Sequence, residues 1–203
     1  MFVPSEFASG DPNLPWVVID ENPFATLVHG HELDATHLPL LLERSEARQA
    51  RLRGHLARRN PASAGIAGAR FMAAFAGADA YVSPGWYLHP ERSVPTWNYV
   101  VAHAWGVASP LDRDATLELL DEMCVRFEGD QGYRPSDLPA QLREDMLSEI
   151  VGFEIEVERV ELKLKLSQNR SAQDRQRVMA GLAARGARGD QAVIEWMQRM
   201  TSA

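Results

Sequence analysis

A single cysteine, no long apolar run and no glycine-rich phosphate loop set the first limits on this 203-residue chain. Cys124 alone cannot form an internal disulfide, which suits a reducing compartment. The longest apolar stretches, 38–42 and 71–78, fall far short of the ~20 residues that a membrane span needs. Pro4, Glu6 and Asp11 interrupt any apolar leader segment, so a cytoplasmic protein with no membrane partner is expected. Neither Gly-x-Gly-x-x-Gly nor Gly-x4-Gly-Lys occurs, and no Gly-x-Ser-x-Gly elbow offers a hydrolase nucleophile. Positive charge is also short: 28 acidic residues against 21 Lys and Arg leave a net charge of −7. That balance weighs against a protein that mainly coats nucleic acid, though not against a local basic patch. What is present is ordinary globular composition, 45% apolar and 24% charged, enough for about one domain.

Four prolines in the first 23 residues indicate loop with a short helix around 16–20. Strands are expected at 24–29, 35–42 and 51–57. Pro39 cannot donate to a ladder, so the second should be an edge or bulged strand. Residues 69–75 and 80–83 resemble one strand broken at Gly77. In 98–108 both parities are mostly apolar, which predicts burial on two faces. A helix capped by Asp112 or Asp114 follows, with Leu117, Leu120, Cys124 and Phe127 on its buried stripe. Phe153, Ile155 and Val157 then alternate with glutamates, before the apolar parity shifts to Val160, Leu162, Leu164 and Leu166. A one-residue slip of a period-two pattern predicts a bulge or turn near 158–160. Ser171 and Asp174 open a capping-box-like helix from 172 to about 184, and a terminal helix spans 191–200. Links between strands are too short for helical crossovers, so the strands should be antiparallel: a mainly β barrel with helices. Its domain covers 1–166, with a helical extension over 167–203.

His29, His31 and His37 could bring imidazoles together, but no Cys or carboxylate stands at ligand spacing beyond Glu32 and Asp34, so a metal is not expected. Three polar segments are better candidates. In Gly54-His-Leu-Ala-Arg-Arg-Asn-Pro61, His55 and Arg58 can donate to an anion while Asn60 and Pro61 turn the chain. In Val94-Pro-Thr-Trp-Asn-Tyr99, Trp97 and Tyr99 can wall a flat ring, with Thr96 and Asn98 at its polar edge. In Lys163-Leu-Lys-Leu-Ser-Gln-Asn-Arg170, Lys165, Gln168, Asn169 and Arg170 gather two cations and two amides before a helix N-terminus. Each segment has a plain alternative: a solvated basic turn, core aromatics, a polar strand end. Together they suit a ligand with a phosphate, a polyol and a planar heterocycle, such as FMN.

These segments, with Pro4-Ser-Glu-Phe7, Pro23-Phe-Ala-Thr-Leu-Val28, Ala35-Thr-His-Leu-Pro-Leu-Leu-Leu42, Ala80-Tyr-Val-Ser-Pro-Gly-Trp-Tyr87 and Ile150-Val-Gly-Phe-Glu-Ile155, resemble the PaiB family. That family comprises FMN-binding negative transcriptional regulators of bacteria, within the FMN-binding split-barrel group. Arg59 and Ala62-Ser63 depart from its pattern. The resemblance implies an antiparallel, Greek-key-like split β-barrel, FMN as cofactor, and a homodimer with the flavin near the subunit interface. Lys165, Arg170, His55 and Arg58 are then expected on the phosphate, and Thr36 and His37 on the ring or ribityl side. DNA is a possible partner, although no helix-turn-helix signature is visible and the arginines at 44, 48, 51, 53, 58 and 59 could be a solvated face. The alternative is a flavin-dependent oxidoreductase using FMN and a nicotinamide cofactor; no catalytic residue stands out for it.

Overall fold

The computed structural model describes residues 1–30, 33–45 and 48–200. Among them the alternating and apolar runs form seven strands: β1 (Phe24–His29), β2 (Asp34–Pro39), β3 (Leu41–Ser45), β4 (Arg48–Ala57), β5 (Arg70–Val82), β6 (Thr96–Pro110) and β7 (Ile150–Lys165). The helices are α1 (Leu14–Glu21), α2 (Arg113–Glu128), α3 (Ala140–Ser148), α4 (Ala172–Arg185) and α5 (Asp190–Arg199). The strands make one antiparallel sheet in the order β2-β1-β5-β6-β7-β4-β3. Pairing out of sequence, β1 with β5 and β4 with β7, gives the expected Greek-key-like connectivity.

The expected strand over 35–42 is two strands. Pro39 ends β2 on the sheet edge, where its missing N–H costs no ladder bond. Leu40 then donates its N–H to Pro23 O at 2.9 Å, and the chain resumes as β3. The two end strands of the order are thus joined through one residue, which requires the sheet to curl until its edges meet at this corner. Gly54 on β4 permits the approach: a Cβ there would lie 2.7 Å from Leu40 Cδ2 and 3.2 Å from Pro39 O.

The chain divides into two compact units. A sheet unit, 23–75 and 104–160, holds β1 to β4, the adjoining parts of β5, β6 and β7, and α2 and α3. Leu27, Leu52, Phe75, Phe153 and Ile155 fill its core. A helical unit, 1–22, 76–103 and 161–203, holds α1, α4 and α5 with the remaining parts of β5, β6 and β7. Its core is Val18, Ile19, Val82, Leu164, Leu182 and Val193.

Several expectations change in detail. β5 runs unbroken through Gly77, although its alternation lapses over 76–79; a Cβ at Gly77 would press on Val100. β6 buries one face, not two. Asn98, Val100, Ala102 and Ala104 are inside, while Trp97 is exposed and Tyr99, Val101, His103 and Trp105 are half-buried. The inward residues are small because neighbouring backbone comes close: a Cβ on Gly106 would collide with Glu156 O. β7 is also continuous. Its burial does change parity, from Phe153, Ile155 and Val157 to Leu162 and Leu164, but without a turn. The buried stripe of α2 is Thr116, Leu119 and Met123, not Leu117, Leu120, Cys124 and Phe127. Two contacts rotate the helix: Thr116 fills the space a Cβ on Gly152 would need, and Leu119 and Met123 cluster with Leu41. Cys124 is therefore only half-buried and Phe127 is exposed. Helix α3 had no apolar period to announce it.

Candidate functional site

Thr36, His37, His55, Arg58 and Asn60 belong to the sheet unit. β4 ends at Ala57, opposite Ile150 at the start of β7, and this register places Arg58 against the end of α3. Its guanidinium donates from Nε to Ser148 O and from Nη2 to Ile150 O, both at 2.6 Å, and its N–H reaches Glu149 O at 2.7 Å. Asn60 shapes the next turn: its Oδ1 accepts from Ala62 N at 2.9 Å, capping the short 3-10 turn Pro61–Ser63. Its Nδ2 donates to Thr36 Oγ1 at 3.2 Å, so the structure does bring Thr36 and Asn60 together. His37 is exposed and faces the exposed Phe24 ring, with centroids 6.5 Å apart and planes 24° from parallel.

His55 shares a strand face with Arg51 and Arg53, which pair with Glu154 and with Glu43 and Glu122. Its Nδ1 is buried without a hydrogen-bond partner, and burial holds the imidazole below its usual pKa. Arg59 lies 3.8 Å from Glu149. Arg51 and Arg53 are thus ion-paired within this unit and Arg58 is held by carbonyls, whereas the Arg59 side chain is exposed.

Thr96, Trp97, Asn98, Tyr99, Lys165, Gln168, Asn169 and Arg170 belong to the helical unit. Lys165, the last residue of β7, donates from Nζ to Thr96 Oγ1 and, at 2.9 Å, to Trp97 O. Burial lowers its pKa; Lys163 adds to that and the Tyr99 hydroxyl opposes it. Both lysine ammonium groups lie over the Tyr99 ring, at 5.5 and 5.9 Å from its centroid. Trp97 is 52% exposed and meets Tyr81 edge-on at 6.1 Å. A cation, a hydroxyl and two part-exposed aromatic rings therefore do converge here.

Asn98 does something else. It is 1% exposed and is paired with Ser167, 4% exposed, through contacts of 3.0 and 3.1 Å; its Nδ2 also reaches Met197 Sδ at 3.6 Å. Sequence reasoning passed over Ser167, which has φ +64, a left-handed value uncommon for a residue with a Cβ. That turn lets Gln168 fold back: Oε1 accepts from Leu166 N at 2.7 Å and Nε2 donates to Leu164 O at 2.5 Å. Asn169 stays exposed. Arg170 stacks on Tyr87 with its guanidinium carbon 4.5 Å from the ring centroid.

His31 and Glu32 of the metal reading lie outside the described residues; among those described, no group of three metal-ligating side chains occurs. Among the described residues no helix is long and apolar enough to cross a membrane.

The donor chemistry fits a phosphorylated, ring-bearing ligand. A guanidinium has five N–H donors and an ammonium three, so Arg58 and Lys165 each keep donors beyond those already committed. His55 Nδ1 is an orphaned buried polar atom. Residues 1–159 match the family model described as "Putative FMN-binding domain". Protease synthase and sporulation protein PAI 2 of Bacillus subtilis is 34% identical over 191 residues, covering 90% of this chain and 89% of its own. In structure the chain is similar to the FAD and heme binding protein of Mycobacterium smegmatis, with TM-score 0.58 and 20% identity over 85% of this chain and 79% of that one. It is likewise similar to the flavocytochrome Anf3 of Azotobacter vinelandii, with TM-score 0.58 and 13% identity over 78% and 69%. Sequence kinship at that level along nearly the whole length, on an antiparallel split barrel, means that the chain belongs to the PaiB family of FMN-binding proteins.

Proposed function

We propose that this chain is an FMN-binding transcriptional regulator of the PaiB type, a repressor in the cytoplasm, working as a homodimer with flavin near the subunit interface. The observation that carries the reading is the Lys165 ammonium, held by the Thr96 hydroxyl and the Trp97 carbonyl beside the part-exposed rings of Trp97 and Tyr99. That arrangement offers an anion and a flat ring what they need within one short stretch of surface. FMN, when bound, supplies reversible electron acceptance and a visible absorbance.

The remaining residues are assigned by their free atoms. Arg58 and Arg170 offer guanidinium donors for phosphate, with His55 beside Arg58 in sequence. Thr36, His37 and Asn60 offer a hydroxyl, an imidazole and an amide to the ring or ribityl side. Gln168 and Asn98 act by shaping the strand end that carries Lys165, and Asn169 by its exposed amide. Apolar side chains left in solvent on the helical unit, Phe2, Val94 and Trp97, support a second copy, since aromatic residues are enriched in interface cores.

A visible spectrum of the purified protein, followed by fluorescence titration with FMN, tests the cofactor. Saturable binding that weakens in Lys165→Met supports the site; absence of any flavin binding overturns it. Light scattering near 22.6 kDa, the mass of one chain, would overturn the dimer. Flavin-dependent retardation of promoter DNA supports the regulator, whereas anaerobic bleaching by a nicotinamide cofactor without DNA binding would favour the oxidoreductase.

A further inference from the structure

A groove of about 460 Å³ opens in the sheet unit where β1 ends and β5 begins, lined by His29, Gly30, Ala62, Ala64, Gly65, Ala69, Arg70 and Phe71. None of the thirteen candidate flavin residues lines it. Its floor is aromatic and firmly backed. Phe71 is buried, the His29 ring lies against it at 5.5 Å and 49°, and Phe153, fully buried, stacks behind it at 6.3 Å. Apart from His29, Arg70 and Phe71, the described lining residues are glycines and alanines, which leave room for a flat molecule close to the backbone. Two turns bring this backbone together, at Gly30 after β1 and at Gly65 before β5, with φ values of +73 and +76 that glycine adopts readily.

Among the described residues that line the groove, Arg70 is the charged one and His29 adds an imidazole. Glu158 holds the Arg70 guanidinium through Nη1 at 3.4 Å and Nη2 at 2.5 Å, which fixes its direction and leaves Nε–H and one N–H on each terminal nitrogen. The volume lies within the range of small-molecule sites, and barrel mouths are a preferred place for them.

We propose that this groove is a second ligand site, separate from the flavin residues, and that it takes a small planar aromatic carboxylate, ring against the part-exposed His29 that Phe71 backs and carboxylate on Arg70. Calorimetric titration with 2-naphthoate tests it, with 2-naphthylmethanol as the uncharged comparison. Saturable one-to-one binding is expected, about tenfold weaker for the alcohol and about tenfold weaker in Arg70→Gln, the effect of one charge-assisted contact. Ala64→Trp, at an exposed position, should abolish binding by filling the groove. Both variants should unfold near the wild-type temperature and titrate FMN as wild type does. Absence of saturable 2-naphthoate binding overturns the proposal, as does binding unchanged in both variants, which would place the probe elsewhere. Competition between 2-naphthoate and FMN, with both lost in Ala64→Trp, overturns it as well, because the groove would then be part of the flavin site. If FMN fails to bind while 2-naphthoate behaves as expected, the flavin assignment falls and this one stands.

Discussion

The two units hold their polar candidates in different ways. In the sheet unit Arg58 is turned onto main-chain carbonyls at the end of α3 and Asn60 caps a turn, so both residues build structure before they meet any ligand. In the helical unit the structural work is done by a neighbour. The buried Asn98 and Ser167 pair fixes the strand end, and Lys165 is left with its ammonium beside a hydroxyl and exposed rings. A side chain that reports ligand affinity alone is therefore more readily found in the helical unit. One that reports affinity and stability together belongs to the sheet unit.

The largest effect should come from the packing that supports the sheet unit. Phe153→Ala removes a fully buried ring and should cost ~3–5 kcal/mol, seen as a large fall in the denaturant midpoint. Loss below ~1 kcal/mol would mean that this core is not what holds the curled sheet. Lys165→Met sharpens the contrast directly: FMN affinity should fall ten- to a hundred-fold with a small change in midpoint. Arg58→Ala should lower both, because the carbonyls of Ser148 and Ile150 lose their guanidinium donors; a pure affinity effect there would erase the distinction between the units. Asn98→Ala should cost ~1–3 kcal/mol by leaving Ser167 Oγ buried and unpaired, and Lys165 should become more reactive or more mobile by NMR.

The smallest effect is one of pH. Burial lowers the pKa of His55, and burial with the N-terminal ammonium lowers that of His103 against the opposing charge of Glu161. Below the ordinary imidazole value of ~6.5 the unfolded chain binds protons that these folded imidazoles refuse. Stability is thus complete above that pH and falls as the pH drops through it. Denaturant midpoints between pH 7.5 and 5.5 should show the fall, and His55→Phe should make it shallower, with His103 supplying the rest. An unchanged slope in His55→Phe would show that His55 titrates freely in the folded state.

Much of the architecture was legible because it rests on local rules. Pro39 marked an edge, Ser171 a helix cap, and the glutamate alternation of 153–158 a half-buried strand; each holds in the structure. What could not be read depended on partners distant in sequence. The phase of α2 follows from Thr116 meeting Gly152, thirty-six positions away, and no periodicity within the helix contains that information. The candidate site divides in the same way. Residue types singled out Lys165, Thr96, Thr36 and Asn60, and the structure joins the first two and the last two by hydrogen bonds that no local pattern announces. They misjudged Asn98, since an amide that looks available in a polar motif can be fully occupied inside. Ser167 escaped notice because its importance lies in a backbone angle.

Lys163 and Lys165 are the only lysines in the chain; the other nineteen basic residues are arginines. Both sit at the Tyr99 ring. Apart from the chain's own amino group, every primary amine the protein offers is thus confined to one patch. Acylating reagents, amine cross-linkers and lysine-directed enzymes all have the same address, and a mass shift on either residue reports occupancy of that patch without any competing signal from the rest of the surface.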